Sequence, residues 1–277
     1  MMKISLLLPT RAAKQQRSIS ISNACRSIST QTKPIDEIQA SDGPLLSEAL
    51  RPYFSSKQPV VVRQAMNGAS ALQNWKDWSY FEQVVDKDTP CDVELGGNYS
   101  KSERSEIRFG DYLAYLEFFQ ERYGRSGGEP SPEDLVYLAQ NDLAKGLDKD
   151  FDLPSFISEL GEGKLYSVMM WIGPYGCVSP LHFDPLDNAL MQFVGVKKIL
   201  LYPPETYVYA GEDGNQHNTS PINFEEPLDI ERFPLLQNIP LAITCTLTAG
   251  DALYIPQKWL HQVRTIETSV SINAWWR

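Results

Sequence analysis

Paired cysteines are missing. Cys25, Cys91, Cys177 and Cys245 are the only four in 277 residues, and none belongs to a CxxC pair. That excludes a disulfide scaffold and a cysteine zinc site, and it suits a reducing compartment. Long apolar runs are missing as well. No window approaches the ~20 residues of a helical membrane span, so no membrane partner is expected. A basic excess is missing too: 25 Lys and Arg face 35 Asp and Glu, a net charge of −10. Direct nucleic-acid binding calls for a cationic stripe and is not expected. An acidic surface suits a basic protein or peptide partner instead.

Acids are absent from the first 35 residues, where Lys3, Arg11, Lys14, Arg17, Arg26 and Lys33 alternate with serines and apolar residues. The chain beyond this segment is correspondingly more acidic, with 19 basic against 35 acidic residues. A cationic, hydroxylated, acid-poor leader is the composition of a mitochondrial transit peptide, and Ile4–Leu8 is too short for a secretory apolar region. Residues 1–35 are therefore expected to be a targeting segment outside the folded core, with the nucleus or cytoplasm as alternative locations.

The rest, 36–277, is expected to be one domain in two parts. Residues 36–163 are mixed and helix-rich. Leu45–Phe54, Trp75–Val85 and Phe109–Tyr123 carry apolar residues at helical spacing. Pro59–Arg63 and Cys91–Leu95 read as strands, Gly96–Arg104 and Arg125–Pro132 as loops, and Leu135–Leu143 as an ordered apolar segment. Residues 164–277 turn to β: Leu165–Ile172, Ala189–Val194, Lys198–Tyr202, Leu241–Leu247, Ala252–Ile255, Gln262–Ile266 and Ser269–Trp276. Many short strands punctuated by Gly, Pro and Asp imply a mainly β protein with flanking helices, a jelly roll of the cupin kind. Residues 203–240 read as a loop-rich insertion.

Only three histidines are present: His182, His217 and His261. His182 stands in the run SPLHFDP. In an extended chain residues i and i+2 share a face, so His182 and Asp184 can hold one ion together. His261 lies 79 residues further on, after a Gly-Asp turn and the run ALYIP. A barrel can bring such distant strand ends together. Two imidazoles and one carboxylate make the facial triad of non-haem Fe(II) oxygenases, which leaves coordination positions open.

The stretches WIGPYGCVSPLHFDPLDNALMQFVGVKKILLYPP (171–204) and GDALYIPQKWLHQVRTIETSVSINAWW (250–276) resemble the catalytic core of the Jumonji-C (JmjC) oxygenases, a cupin-like family dependent on Fe(II) and 2-oxoglutarate. The likeness extends upstream through VYLAQNDL (136–143) and PVVVR (59–63), and is greatest to the small JmjC protein hydroxylases that act on arginine. It implies a double-stranded β-helix, with Fe(II), 2-oxoglutarate and O2 as cofactors. It implies that His182, Asp184 and His261 are the metal ligands. Lys197 matches the lysine that pairs with the distal carboxylate of 2-oxoglutarate. Lys198 competes for that role, but strand alternation turns only one of the two inward and the spacing favours Lys197. Tyr137 and Ser179 match hydroxyls that hold the same carboxylate, and Asn188 and Asn273 match amides beside metal and cosubstrate. Trp171 and Trp275 match aromatics that wall the pocket. Glu94 and Tyr99, in ELGGNY, match a loop carrying a carboxylate and an aromatic toward a guanidinium, a pairing that suits charge-assisted hydrogen bonding and stacking.

Two residues depart from that pattern. Phe183 replaces a polar residue between the ligands, and Arg104 stands where an aromatic is usual, so a cation facing the pocket would repel a basic substrate. The resemblance implies hydroxylation of an Arg or Lys side chain in a protein, with release of succinate and CO2. His-x-Asp is usual among JmjC hydroxylases, whereas many JmjC demethylases carry His-x-Glu. Lysine demethylation and small-molecule oxidation are the alternatives, and the oligomeric state is left open.

Overall fold

A computed structural model describes residues 32–40, 46–99, 102–124, 128–204, 206, 218–222, 224 and 229–277. Most of the expected targeting segment, residues 1–31, lies outside them, as does His217. Its far end does not stay out of the fold. Thr32–Pro34 form strand β1, and Ile35 is buried in the core between the sheets. The fold therefore takes in residues ahead of the first acid.

Thirteen further strands follow among the described residues: β2 (Asp36–Gln39), β3 (Val60–Arg63), β4 (Pro90–Leu95), β5 (Glu103–Arg108), β6 (Val136–Asp142), β7 (Leu165–Gly173), β8 (Val178–Phe183), β9 (Asp187–Val194), β10 (Lys197–Tyr202), β11 (Ala242–Leu247), β12 (Ala252–Ile255), β13 (Leu260–Thr265) and β14 (Ser269–Trp276). One sheet has the order β2-β3-β12-β9-β14-β7-β6-β4-β5 and the other β1-β11-β10-β13-β8. Together they make the jelly roll expected from the sequence.

The two faces of the large sheet follow the period of two. Val60, Val62, Ala189, Met191, Phe193, Ala252, Tyr254, Val270, Ile272, Ala274 and Trp276 point outward under the helices, into a core with Trp75, Phe81, Phe109 and Leu116. Their neighbours Val61, Leu190, Leu253 and Ile255 point inward and meet Ile199, Leu201, Ile243, Cys245 and Val263 of the small sheet. Strands covered on both faces lose polar alternation, which is why β9 is buried almost throughout. The inward row of β14 differs: it reads Ser271, Asn273, Trp275, a polar line on an otherwise apolar strand.

Helix Phe109–Tyr123 has the bounds expected from its spacing, and the first helix runs Leu46–Ser56. Trp75–Val85 is not one helix. Trp75 closes the turn Ala71–Asn74, and Asp77 then caps a new helix, Trp78–Val84, by accepting from Ser79 N at 3.0 Å. Gly96–Arg104 is not all loop either, because β5 begins at Glu103 and pairs antiparallel with β4. Its run ERSEIR is polar because most of its residues are solvent-exposed at the edge of the large sheet. Among the described residues no helix is long and apolar enough to cross a membrane.

Candidate metal centre

Strand β8 carries His182 and β13 carries His261, directly opposite each other in the ladder. Two residues lie between Ser179 and His182 on β8, but only one lies between His261 and Val263 on β13. The extra residue is a β-bulge on an edge strand containing Pro180, where the ladder tolerates a missing N–H. It gives Ser179 and His182 one facing despite their odd spacing, and both line the same cavity. Asp184 follows at the strand's end, where its carbonyl accepts from Lys258 N at 2.8 Å.

The imidazole rings of His182 and His261 stand 4.2 Å apart. Asp184 Oδ1 lies 3.9 Å from His182 Nε2, and Asp184 Oδ2 lies 3.7 Å from His261 Nε2. Among the described residues these three form the cluster of side chains able to hold a metal, with ligand atoms all within 4.8 Å. Each Nδ1 faces a carbonyl: Pro180 O at 2.7 Å for His182, and Trp259 O at 3.0 Å for His261. A carbonyl only accepts, so each Nδ1 carries the proton and each Nε2 offers its lone pair to the cluster. Burial first, and His182 second, push His261 down to about 4, which keeps it neutral and ready to ligate. Burial disfavours the Asp184 carboxylate, but His261, His182, Trp275 and Asn188 outweigh it and hold the carboxyl below its ordinary value. The donor set and tautomers fit a divalent iron with open positions.

The inward row of β14 runs alongside. Ser271 Oγ accepts from Lys197 Nζ at 2.6 Å. Asn273 Nδ2 donates to Asn188 Oδ1 at 2.8 Å, and Asn188 Nδ2 donates to Asp184 Oδ2 at 3.0 Å. Trp275 Nε1 donates to the same Oδ2 at 2.8 Å. Lys197 is buried and Lys198 exposed. No carboxylate among the described residues pairs with Lys197, and burial pushes its ammonium down to about 7. A buried cation without an anion is an incomplete pair, and an entering carboxylate would complete it. Tyr137 shares a hydrogen bond with Ser179, and its ring centroid lies 5.9 Å from Lys197 Nζ. Tyr137, Trp171, Ser179, Asn188, Lys197, Asn273 and Trp275 thus join the triad around one narrow cleft.

Tyr99 packs edge-on against Trp171, ring centroids 5.1 Å apart, and 6.5 Å from the His182 ring. Its hydroxyl donates to Gln140 Oε1. Glu94 is buried on β4, opposite Tyr137 of β6. Arg104 ion-pairs with Asp92 at 2.8 Å, with both side chains half exposed, so its charge is partly neutralised. Sequence reasoning overlooked Ser271 and Gln140. Ser271 was signalled by the polar period of two along β14. Gln140 sits at a bulge in β6 with φ of 53°, a conformation no residue type in its neighbourhood announces.

The cupin-like domain family matches residues 46–277. The chain is 32% identical over 249 residues to Jumonji C domain-containing protein 5 of Drosophila melanogaster, covering 87% of this chain and 60% of that protein. It is 32% identical over 259 residues to the Lysine-specific demethylase JMJ30 of Arabidopsis thaliana, covering 91% and 56%. It is 31% identical over 285 residues to Lysine-specific demethylase 8 of Danio rerio, covering 99% and 67%. The chain therefore spans between about half and two thirds of the length of these curated relatives. Family match, jelly roll and His-Asp-His cluster agree, and this chain belongs to the cupin-like JmjC family.

Proposed function

We propose that this protein is an Fe(II)- and 2-oxoglutarate-dependent oxygenase that hydroxylates an arginine or lysine side chain of a protein substrate. One observation carries the reading: the triad His182, Asp184, His261 shares its cleft with Lys197, a buried lysine with no anionic partner among the described residues. The JmjC family generally uses this metal and this cosubstrate, and a 2-oxo diacid matches both halves of the cleft.

Iron with 2-oxoglutarate and O2 supplies the oxidising chemistry, with succinate, CO2 and an oxidised C–H bond as products. The chain's own part is ligation and placement. His182 and His261 present Nε2 because Pro180 and Trp259 hold the opposite nitrogens. Lys197, with Tyr137 and Ser179, would receive the distal carboxylate. Trp171, Tyr137 and Leu190 exclude water from it. Glu94 and Tyr99 would meet the target side chain, a carboxylate for its charge and a ring for its flat face. No side chain need act as a general base.

Lysine demethylation is the second reading, favoured by the names of the Arabidopsis and zebrafish relatives. The metal chemistry is the same, and only the oxidised carbon differs. Incubation of the protein with Fe(II), 2-oxoglutarate and a library of Arg/Lys peptides, methylated and not, separates them. A gain of one oxygen atom by unmethylated peptides supports hydroxylation. Loss of a methyl group confined to methylated peptides supports demethylation. Succinate formation with neither change overturns the protein-substrate reading in favour of a small molecule.

A further inference from the structure

The two oxygens of Asp184 are not equivalent. Oδ2 accepts from Trp275 Nε1 at 2.8 Å and from Asn188 Nδ2 at 3.0 Å. A carboxylate oxygen has two in-plane lone pairs, and two donors use both. Oδ1 has no hydrogen-bond donor among the described residues and faces His182 Nε2 at 3.9 Å. Without the two donors, Oδ2 would be equally placed for a metal, at 3.7 Å from His261 Nε2.

Asn188 is itself held, because Asn273 donates to its Oδ1 and leaves its amide no rotational choice. Trp275 is fixed differently. It stands at the inward end of β14, opposite Asn188 of β9, and packs against the aromatic cluster of Tyr137 and Trp171. Its indole can donate one hydrogen bond, and the Asp184 carboxylate receives it.

We infer that Trp275 is a positioning residue: its indole N–H occupies Asp184 Oδ2 and so confines the carboxylate to one-oxygen ligation of the metal. The inference rests on the metal-centre reading above. A bidentate carboxylate would take a coordination position that a chelating 2-oxo acid and O2 require, since a facial triad works by leaving three free. The aromatic wall and the metal's electronic surroundings are thus set by the same side chain.

Trp275→Phe tests this, because it keeps a ring in place and removes only the donor. Mn(II), which does not support turnover, replaces iron. In crystals of the Mn(II) protein, wild type shows one Asp184 oxygen on the metal and Trp275→Phe shows both. By calorimetry, Trp275→Phe binds Mn(II) as tightly as wild type or tighter, whereas 2-oxoglutarate binding to the Mn(II) protein weakens by about tenfold or more. Trp276→Phe is the structural comparison. Its indole donates to Leu160 O at 3.2 Å in the outer core, so its loss lowers thermal stability without splitting the two affinities. One-oxygen ligation in Trp275→Phe, or metal and cosubstrate affinities that fall together, overturns the inference. A wild type that binds Mn(II) but not 2-oxoglutarate overturns the proposed function instead, and leaves the carboxylate's denticity to decide the role of Trp275.

Discussion

Lys197 Nζ donates to Ser271 Oγ at 2.6 Å in a fully buried site, where no carboxylate among the described residues pairs with it. Burial brings the ammonium down to about 7, below the ~10.4 of an unfolded chain. The unfolded chain therefore binds more protons between those values, and the ligand-free protein gains stability as pH rises through that window. The slope is at most about 1.4 kcal/mol per pH unit. An anion beside Lys197 restores its charge, so binding of 2-oxoglutarate at pH 8 takes up a proton. Calorimetry in two buffers of different ionisation enthalpy reads this directly. Equal heats in both buffers at pH 8 would count against the assignment.

Gly173 closes β7 against the Tyr137 ring. A Cβ there would stand 2.7 Å from Tyr137 Cε2 and 3.3 Å from Cys177 Cβ. Gly173→Ala must displace the ring whose hydroxyl meets Ser179. Overpacking of this kind costs about 1–3 kcal/mol, and 2-oxoglutarate binding weakens along with it. Thermal denaturation and a cosubstrate titration check both effects, and an unchanged cosubstrate affinity would detach Tyr137 from the site.

Glu94→Gln preserves shape and removes charge. If Glu94 meets a cationic side chain, the loss is that of a charge-assisted hydrogen bond, about 1.5–3 kcal/mol. It appears in kcat/KM for a reactive peptide, roughly 10- to 100-fold, and not in the affinity for 2-oxoglutarate. A wild-type kcat/KM would place the target side chain elsewhere.

Asp150 joins the helical layer from within. It accepts from Trp75 Nε1 at 2.9 Å, Ser70 Oγ at 2.9 Å and Tyr80 OH at 2.8 Å. Burial works against its charge, but these donors outweigh it and lower its pKa. Its contribution to stability is therefore complete above the ordinary carboxylate range and is lost as pH falls through the folded-state value. Asp150→Asn lowers stability near neutrality by about 2–4 kcal/mol and flattens the acid limb. Denaturant melts at pH 7 and pH 4 measure both.

The strands that bury one face on each side of the large sheet were the legible ones: Ala252–Ile255 and Ser269–Trp276 have the bounds their apolar runs imply. β5 was illegible because an exposed edge strand carries charges like a loop. The break at Trp75 was hidden because both flanking turns keep helical spacing until Asp77 intervenes. In the site, the i, i+2 spacing suggested that His182 and Asp184 share a face, and the family resemblance, not the spacing, named them as ligands. Ser179 was not, because its inward direction depends on a bulge at Pro180 that shifts the period. His261 lies 79 residues from His182 and meets it only through the ladder of β13 with β8. Spacing could suggest that meeting but not supply it.

Metal stoichiometry after anaerobic reconstitution bears most directly on the centre formed by His182, Asp184 and His261. Wild type should retain one Fe(II) per chain, and folded Asp184→Ala should retain almost none. Wild type without iron, or Asp184→Ala with a full complement, would contradict the account.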